Sequence, residues 1–560
     1  MKNSNRLLAL VLAIMLAVCL PVFALGETTE ADDMAALNAY LVLPTPQLPL
    51  VDEPMTLTVT YPRNVKHGDF NTMWYLRKLE EKTGVKLEIQ PIEESGWNEK
   101  VGLLFSSGDY GDIFLFGLSI NDASQYGMAG MLRPLEDLVA QYSPNTQKIY
   151  ESFPETLRNL TADDGHIYIA PAYNNTPRDM LLGYSDWVNA EWIAKLGMEM
   201  PQTLDQFYAM LQAFKTGDPN GNGEADEIPW SFIYNGDGYN MALGAFGFVN
   251  ARHDIIDGQY VYVPAQENFR HYLEFMAKCY AEGLLDEDIF TMTTDDYLAK
   301  VLTLNVGSTI EYNVTSEEEI LKRELLSPLT SEYNDKACYP GRSQEKTNSG
   351  LCITSNATEE EAIAAIKLLD YWYSQEGTFE IKCGPVYGED DYIDGGYVRT
   401  VKEDGTYSYE IIYDEEAFGG SYFDFRMYNG LGNMPFCYTQ AHADVIIGAN
   451  VANKWCTTCV EKSGMLQARR VGYPEGVTFT ADEQDTLAMY VLMDSTVDRM
   501  VAEFITGQKE LNDATWAEYL NILDSMDLET LVSTRQAAFD RWNSKRSEER
   551  RVGKECRSRW

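Results

Sequence analysis

Signatures of catalysis are missing from this 560-residue chain. It has no phosphate-binding Walker loop, no HExxH zinc motif and no nucleophile elbow. Its five histidines (His67, His166, His253, His271 and His442) form no spaced ligand set. Enzymes built on those machineries are excluded, whereas paired carboxylates are not, because acids abound. Basic residues are scarce: 44 Lys and Arg face 86 Asp and Glu, for a formal net charge of −42. Such a field repels nucleic acid and anionic membrane surfaces, so neither is an expected partner. Cysteine is sparse, with nine in the chain and seven between residues 27 and 545, an odd number that rules out a dense disulfide framework. Cys456 and Cys459 make one CxxC, but no second pair completes a zinc site, so these read as buried or incidental thiols, with a disulfide as the next option. Beyond residue 20 no apolar run reaches the roughly 18 residues that a membrane-spanning helix needs.

Both ends differ from the middle. Lys2 and Arg6 precede an apolar run over 7–20 that Pro21 breaks, and Ala24-Leu25-Gly26 offers a small-x-small cleavage site. Residues 1–26 therefore read as a secretory signal, and an exported protein, extracellular, surface-bound or periplasmic, is expected. An alternative reading lipidates Cys19 after Leu16-Ala17-Val18, although Val18 is bulky for that role. Residues 27–53 read as a flexible leader. Residues 546–560 hold six Lys or Arg and resemble non-native read-through, so they are set aside; without both ends the core is more acidic still.

Between the ends the pattern is regular. Leu57-Thr58-Val59-Thr60-Tyr61 and Val85-Lys86-Leu87-Glu88-Ile89 alternate like strands, and Asp112-Ile113-Phe114-Leu115-Phe116 is a buried strand. Met73, Leu76 and Leu79 recur at helical spacing, with Gly84 where that helix should stop. The fold class is α/β, with a mainly parallel sheet and the loop over 117–126 on its ligand rim. Thr203 with Gln206 and Thr358 with Glu361 predict capping boxes, and Trp516 to Trp542 predicts two amphipathic helices.

One motif is specific. Asp218, Asn220, Asn222 and Asp226 stand at positions 1, 3, 5 and 9 of an EF-hand-like loop with Gly223 at position 6. Alternate oxygens converge there on a hard cation. Position 12 is Pro229 instead of Glu, so Glu227 is expected to supply the missing carboxylate and Glu224 a carbonyl. The expected cofactor is structural Ca²⁺, against the plainer reading of an Asn/Gly-rich turn. Aromatic residues make up 12% of the chain, 35 of them Tyr. Most must fill cores, but rings on cleft loops suit the apolar faces of sugars.

Several stretches carry a resemblance: Ser107-Gly108-Asp109-Tyr110-Gly111-Asp112, Gly130-Met131-Leu132-Arg133-Pro134-Leu135, Asp164-Gly165-His166-Ile167-Tyr168, Pro201-Gln202-Thr203-Leu204 with the calcium loop, and Phe504-Ile505-Thr506-Gly507. From about 55 to 545 the chain resembles extracellular solute-binding protein family 1, which includes maltose-binding and alginate-binding proteins. The resemblance implies a periplasmic-binding-protein-like fold, two interleaved α/β lobes closing on ligand about a hinge. Lobe 1 would hold 54–170 plus about 306–375, and lobe 2 would hold 171–305 plus about 376–545. By similarity of position the ligand cleft would use Asn121, Asp122, Tyr173, Asn175, Arg178, Tyr234, Asn235, Tyr239, Glu311, Tyr312, Arg426, Tyr438 and Trp455.

The implied function is capture of an oligosaccharide by a monomeric, non-enzymatic protein that delivers it to ABC permease subunits in the membrane. The charge balance of that set, with only Arg178 and Arg426 basic, favours a neutral ligand over a uronate polymer. A secreted glycoside hydrolase and a binding protein feeding a sensor kinase are the alternatives.

Overall fold

The computed structural model describes residues 43–175, 186–234, 241–303, 305–310, 322–341, 350–388, 395–401, 407–414, 416–418, 422–446, 458–459, 462–474 and 476–557. Alternation builds the first sheet. In β1 (Met55–Arg63) Leu57, Val59 and Tyr61 are fully buried, and in β2 (Val85–Glu93) Val85 and Leu87 point inward. The helix Trp74–Thr83 between them stops where Gly84 turns left-handed (φ 76°) and its N–H donates to the Glu80 carbonyl. β1 pairs in parallel with β2 on one side and with β3 (Ile113–Leu115) on the other. Asp112 Oδ2 fixes that second pairing by accepting from both the N–H and the hydroxyl of Thr58, each at 2.7 Å. β13 (Gly350–Ile353) and β4 (Ala170–Pro171) add antiparallel, giving the order β2-β1-β3-β13-β4. Helix Glu359–Tyr373, opened by the predicted Thr358–Glu361 box, buries Ile366, Leu369 and Trp372 against this sheet.

A second sheet has the order β11-β6-β10-β7, from β6 (Asp186–Asn189), β7 (Ile228–Ser231), β10 (Val306–Ile310) and β11 (Arg323–Leu325). Trp187 and Trp230 lie fully buried in it, and Trp230 Nε1–H donates to Asp186 Oδ1 at 2.9 Å. Helix Leu204–Thr216, boxed by Thr203 and Gln206 as expected, lays Phe207, Leu211 and Phe214 on this sheet. Its approach requires glycine at 307, where a β-carbon would sit 2.3 Å from the Phe214 ring and 2.8 Å from the Pro229 carbonyl oxygen.

Short pairings join the remaining segments. β5 (Tyr173–Asn175) runs parallel to β16 (Cys437–Thr439), and β12 (Tyr339–Gly341) to β17 (Arg469–Val471). β8 (His253–Ile256) with β9 (Gln259–Tyr262), and β14 (Gly395–Val401) with β15 (Tyr407–Tyr413), form antiparallel ribbons. The predicted terminal helices are Asp513–Ser525 and Leu528–Arg557. Every described residue falls within one compact unit, Tyr40–Trp560. Among the described residues no helix is long and apolar enough to cross a membrane.

Three segment assignments change. Residues 306–310, expected with the first sheet, pair with β6 and β7 in the second. The described residues within 376–446, expected with the second, serve the first: the helix Gln375–Cys383 packs on Glu359–Tyr373, and the Tyr61 hydroxyl donates to the Leu431 and Asn433 carbonyls. A short apolar strand specifies that it is buried, not beside which neighbour. The leader is also shorter than expected, since Leu43 and Leu50 are buried. Gln375 N–H donates to the Leu43 carbonyl, and Leu50 N–H to the Thr83 carbonyl, each at 2.9 Å. Prolines erase periodicity in such a stretch but leave its carbonyls able to accept.

Candidate functional site

From β1 the chain crosses first to β2 on one flank and then to β3 on the other. At such a switch point the loops beyond the carboxyl ends of β1 and β3 diverge and leave a crevice where α/β sheets bind ligands. Two successive residues beyond β3 have left-handed backbone, Phe116 (φ 83°) and Gly117 (φ 98°). Glycine is at ease there; a bulky L-residue costs roughly 1–2 kcal/mol. The turn is held from both sides. Trp97 Nε1–H donates to the Gly117 carbonyl at 2.9 Å, its ring filling the space a β-carbon on Gly117 would need. Phe116 N–H donates to the Gly350 carbonyl at 3.0 Å. Phe116 is half-buried, its ring 6.3 Å from that of Tyr61, and Phe70 stands edge-on to Tyr61 at 6.1 Å. Sequence reasoning placed Phe116 only at the end of a strand; an aromatic run ending against a glycine was the available signal.

The predicted cleft residues fall into different settings. Asn121 and Asp122 open the helix Ile120–Met128 on the same rim. Asn121 Oδ1 accepts from the Phe479 N–H at 3.2 Å, and Asp122 Oδ2 accepts from the Ser119 N–H and hydroxyl in a capping box. Tyr173 is fully buried in β5, edge-on to Tyr373. Asn175 pairs with Thr439 across the β5–β16 ladder. Tyr234 is half-buried, its ring 5.0 Å from Phe290. Arg426 donates from Nε to the Ile381 carbonyl (3.2 Å) and from Nη2 to the Gly432 carbonyl (2.7 Å), beside a small pocket lined by Trp74, Tyr75 and Phe425. Tyr438 is 8% exposed and stacks on His442. Arg178, Asn235, Tyr239, Glu311, Tyr312 and Trp455 lie outside the described residues.

The candidate cation loop joins helix Leu204–Thr216 to β7. Left-handed Asp218 (φ 45°), Gly221 (φ 79°) and Gly223 (φ 80°) curl it. Asp218 Oδ1 and Oδ2 accept from the N–H groups of Gly221 (2.9 Å) and Gly223 (3.1 Å), Asn220 Oδ1 from Asn222 N–H (2.9 Å), and Asn222 Oδ1 from Glu224 N–H (2.7 Å). Each such oxygen keeps a lone pair for a cation. The Asp226 carboxylate collects the side-chain amides of Asn220 (2.9 Å) and Asn222 (3.1 Å), which hold its acid below the usual range. Asn305 clamps the loop from β10's side, donating to the Asp226 carbonyl at 2.7 Å. Glu227 Oε1 is buried with no hydrogen-bond partner. A buried carboxylate oxygen without a donor is costly, so the donor set fits a hard cation. Among the described residues no three or more His, Cys, Asp or Glu side chains cluster as a ready-made metal site.

Where the first sheet's helices meet the C-terminal segment, Arg541 is shared. Its Nε lies 3.1 Å from Asp163 Oδ2, and its Nη groups donate to both Glu483 oxygens at 2.9 and 2.7 Å. Trp542 Nε1–H donates to Asn159 Oδ1 at 3.3 Å, with the Arg158 guanidinium 4.3 Å above its ring.

Comparison with known proteins locates this architecture. Over 255 residues the chain is 37% identical to the fructooligosaccharide ABC transporter substrate-binding protein FusA of Streptococcus pneumoniae serotype 4. That match takes in 44% of this chain and 47% of FusA, so it spans about half the relative's length. The solved structure of S. pneumoniae FusA in complex with kestose superposes with a TM-score of 0.68 at 25% identity, covering 88% of this chain and all of that one. An EF-hand mutant of the same protein in complex with fructo-nystose gives 0.67 at 25% identity, with the same coverage. The sequence pattern described as bacterial extracellular solute-binding protein matches residues 74–381, more than half of the chain, and the protein belongs to that family.

Proposed function

We propose that this protein captures a neutral oligosaccharide outside the cell and delivers it to the permease subunits of an ABC importer. The observation that carries the reading is the likeness to FusA, which is 37% identical over 255 residues and whose kestose complex superposes over that chain's full length. Capture would close two sheet-centred bodies on the sugar, and the permease would read the closed form. Neutrality is supported by the fate of Arg426, one of two basic residues in the predicted cleft set, whose guanidinium is committed to main-chain carbonyls. Residues 1–26 would direct export, with Cys19 as the site of lipidation if the chain is anchored.

The loop over 218–227 would hold Ca²⁺ through Asp218, Asn220, Asn222, Asp226 and Glu227 with the Glu224 carbonyl; the unpartnered Glu227 oxygen supports this. The ion would brace the turn between helix and β7, leaving sugar contacts to the crevice. Titration calorimetry with kestose, maltotriose and an oligogalacturonate tests the function, with chromatography of each glycan afterwards. The expected result is saturable binding of a neutral glycan, recovered intact. Binding of the oligogalacturonate alone, or cleaved product, overturns the reading.

A further inference from the structure

We propose that His67 is a positioning residue: it ties the crevice loop beyond β1, residues 64–72, to the chain that crosses between the two sheets, and so sets sugar affinity without touching sugar. The inference deepens the carbohydrate reading and rests on it. This loop leaves the carboxyl end of β1, at the switch point, and borders the crevice. His67 within it is 6% exposed, and both of its ring nitrogens are engaged. Asn64 N–H donates to Nδ1 at 2.9 Å, which leaves the ring proton on Nε2, and Nε2–H donates to the Leu431 carbonyl at 3.2 Å. Burial lowers the pKa of the ring, so it is neutral at pH 7 and keeps this tautomer. The Leu431 carbonyl also accepts from the Tyr61 hydroxyl, which uses its second lone pair. The neighbours of His67 reach the same stretch. Lys66 Nζ pairs with Asp424 at 2.8 Å, and a β-carbon on Gly68 would lie 2.5 Å from the Tyr428 carbonyl oxygen.

The far end of that stretch holds the crossing. Six residues beyond Leu431, at Cys437, β16 begins its pairing with β5, and Tyr173 N–H donates to the Phe436 carbonyl at 2.7 Å. In the chain β5 lies between β4 of the first sheet and β6 of the second. Crevice loop and crossing therefore hang on one short segment, 431–437, and His67 bonds the loop to its start. Asp69, Asn71 and Thr72 lie exposed on the same loop. A loop held still presents its polar groups in one arrangement and loses little freedom on binding.

Calorimetry with kestose and maltotriose tests the proposal on wild type, His67→Gln and His67→Asn, with melting temperatures in parallel. A glutamine amide reaches the place of Nε2 and can donate to the Leu431 carbonyl. An asparagine amide reaches only the place of Nδ1 and restores only the local bond to Asn64. The expected result is affinity near wild type for His67→Gln and about three- to tenfold weaker for His67→Asn, the size of one hydrogen bond. Hydrogen exchange of the unsubstituted protein gives a second reading, independent of how the variants fold: kestose should slow exchange at 64–72 and at 431–439 together. Equal affinities for the two variants, or protection of 64–72 with none at 431–439, overturns the role of His67 and leaves the carbohydrate reading intact. A wild-type protein that binds neither glycan overturns both.

Discussion

His442 lies beneath the β5–β16 pair, 3% exposed, with Nδ1 accepting from the Thr439 N–H at 3.2 Å and Nε2–H donating to the Gln375 carbonyl at 3.2 Å. Burial disfavours its cation and, despite the Gln375 carbonyl, lowers its pKa to about 4. Between that value and the ordinary 6.5 the unfolded chain binds a proton that the folded chain refuses, so its contribution to stability is complete above pH 6.5 and lost as pH falls. At pH 5 this one residue withdraws about 2 kcal/mol. His442→Gln should narrow the difference in melting temperature between pH 7.5 and pH 5; an unchanged difference would show that the residue does not titrate as argued. His253 behaves alike, its pKa depressed by burial and then by Arg535 and Arg252, so some acid sensitivity should survive the substitution.

At the scale of elements, the curl of the loop over 218–227 was legible because the residues that set it lie within ten residues of one another. Its curvature is set locally by side-chain oxygens bonding nearby N–H groups. Calcium should stabilise the fold by about 2.7 kcal/mol at a hundredfold excess over Kd and so raise the melting temperature, and chelation should lower it. Asp218→Ala should abolish the shift, and identical unfolding of the wild type with calcium and with chelator would reduce the loop to a turn. The helix caps were legible for the same reason, since Thr203, Gln206, Thr358 and Glu361 act within one turn. The strand β10 was not: Val306-Gly307-Ser308-Thr309-Ile310 reads as buried anywhere, and its neighbours β6 and β7 start 120 and 78 residues upstream.

At the scale of the molecule, Arg541 ties Asp163, on the first sheet's side, to Glu483 beside the C-terminal helices. Burial raises the Glu483 pKa, but the Arg541 hydrogen bonds outweigh it and the acid ends below its usual range. Arg541→Ala should cost about 1–2 kcal/mol in urea unfolding, the partial exposure of the pair discounting a buried charge-assisted bond. Because the contact spans segments from both ends of the chain, sugar affinity should change as well; no change in either quantity would make the bridge incidental. Neutral ligands form no ion pairs for salt to screen, so affinity should hold between low and high NaCl. Strong salt sensitivity would point instead to an acidic ligand.

The sequence alone determined what depends on near neighbours: the β1–β3 strands with their helices, the caps, the curled loop over 218–227 and, through scattered short motifs, the family. Tertiary structure decided what depends on distant partners. It buried Leu43 and Leu50, moved the described residues within 376–446 beside the first sheet, spent the Arg426 guanidinium on carbonyls, and sealed Tyr173 in a core. It also placed Phe116 on left-handed backbone at the end of β3, its N–H bonded to a carbonyl 234 residues later and the next residue's carbonyl held by Trp97. Periodicity and capping are local energies that a linear pattern records; pairing, burial and strain depend on which remote surfaces finally meet.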